Sequence, residues 1–120
     1  MDEVMREYFE KIKKEGFLNK GELPVYDLRI EGEGCKGSGD ADEIVFYLKL
    51  KDGIIEDISY TCNYCIPPSY IIADILCKFA KNKKLSDIKN ITPQDVEKIL
   101  GNPSEKIFGL LQDLVKVFPD

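Results

Sequence analysis

Val4, Met5, Tyr8, Phe9 and Ile12 recur at the spacing of one helix face. The pattern predicts a helix over residues 3–15, with Asp2 as N-cap and Gly16 as C-cap. Glu7–Lys11 and Glu10–Lys14 form i,i+4 pairs on its outer face. After a connector over 17–24, Tyr26, Leu28 and Ile30 alternate with Asp27, Arg29 and Glu31, which predicts a half-buried strand over 25–31. Ile44, Phe46, Leu48 and Leu50 predict a second strand. Ile54, Ile58 and Tyr60 predict a third, running on to Cys62. Lys51-Asp52-Gly53 lies between these two. A two-residue turn at Asp52-Gly53 sets Leu48 against Asp57. A three-residue turn with Gly53 left-handed pairs Leu50 with Ile54, Phe46 with Ile58 and Ile44 with Tyr60. A one-residue slip flips every side chain to the other face, so the three-residue turn is expected. Extended, that register sets Asp42 opposite Cys62.

From Pro67 the period becomes helical. Ile71, Ile72, Ile75, Leu76, Phe79 and Ala80 share one face up to about residues 80–82. Leu85, Ile88 and Ile91 predict a short helix or turn. Thr92-Pro93 opens another helix that ends at Gly101, and Ser104 or Asn102 opens a last one carrying Ile107, Leu110, Leu111, Leu114 and Phe118. The order is α-β-β-β-α-α-α. It describes an α+β fold, a small three-stranded antiparallel sheet with helices packed on one face. The 120 residues suit a single domain, 1–120, able to bury a real core.

Composition narrows the chemistry. A net charge of −5 argues against nucleic acid as the main partner. The sequence has no histidine, which removes every Ser-His, Cys-His and His-metal arrangement. No apolar run approaches the roughly 18–20 residues needed to span a bilayer, so no membrane role is expected. Met1-Asp2-Glu3 is acidic and leads into an amphipathic pattern unlike a signal peptide. A reducing cytoplasm is the expected compartment. There, four cysteines read as ligands, reactive thiols or core filler rather than a disulfide framework.

The cysteines are the candidate chemistry. Gly32-Glu33-Gly34-Cys35-Lys36-Gly37-Ser38-Gly39-Asp40 holds four glycines in nine residues and reads as a loop carrying Cys35. Cys62-Asn63-Tyr64-Cys65 ends the third strand just before a helix. Two cysteines three apart suit one tetrahedral metal, and a thiol before a helix N-terminus feels its dipole and free amides. The same spacing also fits a redox pair or a chance structural placement. Cys35, Cys62 and Cys65 would need a fourth ligand. Asp40 and Asp42 are the candidates, since carboxylate oxygen is an acceptable zinc or iron ligand; each also reads as an ordinary solvated loop carboxylate. Cys77, beside Ala73 and Ala80, reads as a buried small hydrophobe. Lys81, Lys83 and Lys84 read as a solvated helix end. The glycine loop is not a phosphate loop, because no Gly-Lys-Ser/Thr follows.

Gly53-Ile54-Ile55-Glu56-Asp57, the strand into Cys65, the long helix after it, and the later Leu-Ser-Asp and Thr-Pro-Gln-Asp segments resemble iron–sulfur cluster assembly scaffolds of the NifU/IscU type. The resemblance covers about Cys35 to Phe118. It implies a fold in the order read above and a nascent [2Fe–2S] cluster, or zinc, held by three cysteines and an aspartate. Cys35 and Cys65 match the family's first and second cysteines. The family aspartate position is Gly37 here, with Asp40 and Asp42 following in a longer loop. The third cysteine falls at Gly109 and its histidine neighbour at Phe108, so both are absent, as is the Pro-Arg-Asn segment near the usual N-terminus. Cys62 is extra.

The leading expectation is therefore a non-enzymatic iron–sulfur scaffold or zinc-binding protein with Cys35, Cys62 and Cys65 as ligands and Asp40 or Asp42 as oxygen donor. The resemblance implies a cysteine desulfurase and cluster acceptors as partners. Two other readings stay open: a thiol redox protein using Cys62 and Cys65, and an interaction module that kept the fold and lost the cluster. The metal reading requires the three sulfurs within about 8 Å of one another, close enough for side-chain motion to reach zinc–sulfur bonding distance. It also requires Asp40 or Asp42 beside them, with Cys77 buried elsewhere.

Overall fold

The structure is a computed structural model, described here over residues 2–33 and 43–119. Asp2 accepts a hydrogen bond from the Met5 amide (2.8 Å) and opens helix α1, Glu3–Lys14. Gly16, just past the C-cap residue Glu15, takes the left-handed conformation that stops it (φ 76°). Strands β1 (Leu28–Glu33), β2 (Glu43–Lys51) and β3 (Ile54–Asn63) form one antiparallel sheet in that order. Helices α2 (Pro67–Ala80), α3 (Pro93–Leu100) and α4 (Glu105–Leu114) follow, with 3-10 turns at Leu85–Asn90 and Val115–Val117. Thr92 and Asp95 form a reciprocal capping box on α3, and Ser104 caps α4. The element order is the one the periodicity predicts.

Two local expectations are corrected. The first strand runs Leu28–Glu33, not 25–31, so Gly32 and Glu33 belong to it and not to the expected loop. The Asp27 carboxylate accepts the Leu50 amide (2.7 Å), so a side chain takes the place of a strand carbonyl at that end. The turn between β2 and β3 is the two-residue one. Asp52 and Gly53 both have positive φ (53° and 78°), the conformation that suits Asp-Gly in a tight hairpin. The mismatch that argued against this turn is removed by a β-bulge. Leu50 pairs with Ile55 and Lys49 with Asp57, leaving Glu56 as the extra residue. The bulge lets Ile55 and Ile58, an odd number of residues apart, both enter the core. Leu48 then meets Ile58, Phe46 meets Tyr60, and Ile44 meets Cys62. The residue across from Cys62 is Ile44 and not Asp42, which lies outside the described residues.

Three rows cross the inner face of the sheet: Leu28–Leu48–Ile58, Ile30–Phe46–Tyr60 and Gly32–Ile44–Cys62. At Gly32 an added Cβ would lie 3.1 Å from Leu114 Cδ1 and 3.3 Å from Val117 Cγ2, so the end of α4 packs directly on the strand backbone. Helix α2 is the central helix and is apolar nearly all round, as expected of one buried on several sides. The outer edge of β3 is covered by two segments. Asn19 and Gly21 bond the Tyr60 backbone, while Asn82 and Lys83 bond that of Ile55.

One buried polar cluster ties α1 to α2. Tyr8 donates its hydroxyl to Asp74 Oδ2 (2.5 Å), and Lys78 Nζ lies 3.2 Å from the same carboxylate oxygen and 3.4 Å from Glu15. Burial, then the Asp74 hydrogen bond, pushes the pKa of the Tyr8 hydroxyl up. Burial does the same to the Tyr60 hydroxyl and the Cys77 thiol. All three shifts are upward, so the folded chain keeps protons that the unfolded chain releases at the ordinary values near 8.5 for Cys and 10 for Tyr. Stability is therefore complete below about pH 8 and falls as pH rises, by about 1.4 kcal/mol per pH unit for each group past its unfolded pKa. Urea midpoints between pH 7 and about pH 10.5 should hold steady and then drop with increasing steepness. A flat profile across that range would mean that these groups ionise freely in the folded state.

Candidate functional site

The end of the sheet beyond the Gly32–Ile44–Cys62 row carries Cys62 and the two residues that flank segment 34–42. Glu33 pairs with Glu43, and Glu43 pairs with Asn63. Both anchors of segment 34–42 therefore sit on the row next to Cys62. With strands about 4.8 Å apart, the whole row is about 10 Å wide. Cys35, Asp40 and Asp42 belong to that segment and lie outside the described residues.

Cys62 keeps the inward direction that its alternation with Tyr60 and Ile58 predicts and packs half-buried against the core. The chain then reverses at Tyr64, a non-glycine residue in left-handed conformation (φ 57°) whose ring is 81% exposed. The reversal returns Cys65 to Cys62, and a disulfide joins them with Cα atoms 5.8 Å apart. Cys65 Sγ also lies 3.6 Å from the Asn63 carbonyl oxygen and 4.0 Å from that of Glu43. The second cysteine thus touches the backbone where segment 34–42 rejoins the sheet. A disulfide sulfur is not a thiolate, so this pair can ligate metal only after reduction.

The expected help from free helix amides is not found. Pro67 and Pro68 open α2 without N–H groups, and the Ser69 amide donates to the Ile66 carbonyl oxygen (3.0 Å). Only the aligned dipoles of the helix remain to favour a thiolate at Cys65. Cys77 is 1% exposed and sits ten residues along α2 from Pro67, about 15 Å at 1.5 Å per residue. It is core filler, as its helical position predicts. Gly109 lies within α4, and apart from its chain neighbours and the helix's own backbone nothing lies within 4 Å of where a Cβ would stand; Phe108 packs half-buried against the core. Among the described residues no three Cys, Asp or Glu side chains are grouped to hold a metal. Sequence reasoning missed the Tyr64 reversal and the Tyr8–Asp74–Lys78 cluster. Asp74 and Lys78 at i,i+4 within an apolar helix were the available signal for the cluster.

The fold is a small α+β domain, a three-stranded antiparallel sheet with helices. A family model described as the NifU-like N terminal domain matches residues 1–110, and the chain belongs to that family. Similar solved structures include a presumed iron–sulfur cluster assembly scaffold protein for the SUF system from thermophilic Fervidobacterium islandicum AW-1, at 16% identity and TM-score 0.59, covering 92% of this chain and 76% of that one. Another is the N-terminal part of a nitrogen-fixing NifU-like protein from Brucella abortus, at 14% identity and TM-score 0.56, covering 98% and 74%. At these identities the likeness concerns the fold. No curated protein matches the chain in sequence.

Proposed function

We propose that this chain is an iron–sulfur cluster assembly scaffold that carries a labile [2Fe–2S] cluster on Cys35, Cys62 and Cys65, with Asp40 or Asp42 as oxygen donor. The observation that carries the reading is the convergence at one sheet end. Cys62 and Cys65 are in bonding contact there, and both anchors of the Cys35-bearing segment lie on the next row. Cys35 is two residues beyond Glu33, which limits its Cα to about 7 Å from that anchor. Family membership supports the same role.

The chemistry follows from the donors. Reduced Cys62 and Cys65 supply two thiolates from one short turn, and Cys35 supplies a third from the glycine-rich segment. A single carboxylate completes the set with a harder ligand. Mixed ligation at a half-exposed site makes a cluster easy to lose, which suits cargo that must be handed on. A cysteine desulfurase as sulfur source and apo-proteins as acceptors are the implied partners, in the cytoplasm. Zinc is a competing occupant of the same donors.

Anaerobic reduction followed by iron and sulfide should give visible sulfur-to-iron absorption, with iron and acid-labile sulfide bound in equal amounts. Metal analysis scores zinc in the same samples. Uptake of neither iron–sulfide nor zinc would sink the proposal. A thiol redox role is the second reading, favoured by the Cys62–Cys65 bond itself. The antiparallel hairpin that leads into the motif speaks against it, because thioredoxin-like pairs follow a β-α-β unit.

A further inference from the structure

We infer that the Cys62–Cys65 pair is the site's own two-electron reductant, converting sulfane sulfur to the sulfide that a cluster needs. The inference rests on the scaffold reading for its purpose, but its chemistry stands on the pair alone. A [2Fe–2S] cluster is built with sulfur at the sulfide level, whereas a hydropersulfide or polysulfide delivers sulfur at the zero-valent level. Each sulfur atom supplied that way requires two electrons, the number released when one dithiol becomes a disulfide.

The geometry supplies what the reaction requires. The Tyr64 reversal sets Cys65 beside Cys62, with Cα atoms 5.8 Å apart, and the two sulfurs are bonded. Cys62 lies on the inner face in the row with Gly32 and Ile44, while Cys65 lies beyond the strand end beside the Asn63 and Glu43 carbonyls. The assignment is Cys65 as acceptor and Cys62 as resolving thiol. The Cys65 thiolate attacks the outer sulfur of a hydropersulfide R–S–SH. The R–S–SH sulfur–sulfur bond breaks, R–S⁻ leaves, and Cys65 becomes a persulfide. The Cys62 thiolate then attacks the Cys65 sulfur. The bond to the outer sulfur breaks, HS⁻ leaves, and the Cys62–Cys65 disulfide forms. The dithiol is oxidised and the sulfane sulfur is reduced to sulfide. An external dithiol resets the pair by thiol–disulfide exchange and is itself oxidised to a disulfide.

One consequence separates this pair from static ligands. In the oxidised state both sulfurs are withdrawn from metal binding, so sulfide release and cluster loading alternate. The same two residues supply electrons first and, after reset, thiolates.

The test uses the full chain, reduced and freed of reductant under anaerobic conditions, then mixed with glutathione hydropersulfide. The expected result is one sulfide released per Cys62–Cys65 disulfide formed. Cys62→Ser should release sulfide roughly tenfold or more slowly and accumulate a persulfide on Cys65, read as one added sulfur by mass spectrometry. Cys65→Ser should do neither. Sulfide release from wild type no greater than from the Cys62→Ser/Cys65→Ser double variant would overturn the inference. Persulfide trapped on Cys62 in the Cys65→Ser protein would overturn the assigned order. Thermal melts of each variant identify any that fail to fold; Cys62→Ala then serves as the second way to block resolution. Iron binding is read on separate aliquots. A protein that loads a cluster but releases no sulfide refutes this inference alone, and one that releases sulfide but binds no iron refutes the scaffold reading alone.

Discussion

Replacing Cys62 or Cys65 with serine should remove most of the iron and labile sulfide that the reduced wild-type chain takes up. A hydroxyl is a poor substitute for a thiolate on iron or zinc. Loss of an outer hydrogen-bonding partner of a metal ligand already costs about 10–100-fold in affinity, and loss of a ligand should cost at least as much. Cys35→Ser should weaken uptake to a similar degree, although its sequence distance from the pair is large. That variant is the decisive one. A redox pair needs only Cys62 and Cys65, so uptake that survives Cys35→Ser would remove the three-cysteine site and favour thiol exchange. Cys77→Ser is the internal control. Its side chain is buried in the core, so the substitution should lower stability and leave metal uptake unchanged. Asp40→Asn and Asp42→Asn then identify the oxygen donor: the substitution that hastens cluster loss marks it.

The second large effect concerns stability. Asp74→Ala should destabilise the chain by about 3–5 kcal/mol, the usual cost of breaking a buried charged pair. Asp74 is 2% exposed and accepts from Tyr8 on α1, with Lys78 3.2 Å away. Removing it leaves a buried hydroxyl without its acceptor and a half-buried ammonium that keeps Glu15 and the Tyr8 oxygen close by. Tyr8→Phe should cost less, about 1–2 kcal/mol, because Asp74 keeps Lys78. Urea unfolding measures both. A loss below about 1 kcal/mol for Asp74→Ala would show that water reaches the cluster and satisfies it.

Helices and caps were legible because their signals are local. Asp2, the Thr92-Pro93-Gln94-Asp95 start and Gly101 each act within one turn of the chain, so the residues that decide a boundary are its neighbours. The inward direction of Cys62 and the burial of Cys77 were legible for a similar reason, since period alone sorts faces once an element is placed. The β2–β3 register was not legible in the same way. The Asp-Gly turn favoured one register and simple alternation favoured another. The chain satisfies both by adding Glu56 as a bulge, a solution selected by the core that has to receive Ile55 and Ile58. That choice put Ile44, rather than an aspartate, opposite Cys62.

For the candidate site, the sequence determined which atoms are available: three cysteines besides Cys77, the carboxylates of Asp40 and Asp42, no imidazole and a bare Gly109 in the last helix. The tertiary structure decided how Cys62 and Cys65 meet. A left-handed residue at Tyr64 folds Cys65 back onto Cys62. Antiparallel pairing sets Glu33 and Glu43 on the row beside them. The prolines that open α2 remove the amides its N-terminus would otherwise offer a thiolate. The Tyr8–Asp74 bond likewise joins residues 66 positions apart. Each of these outcomes depends on which distant backbone lies alongside, and burial of the shared apolar face settles that for the whole domain at once.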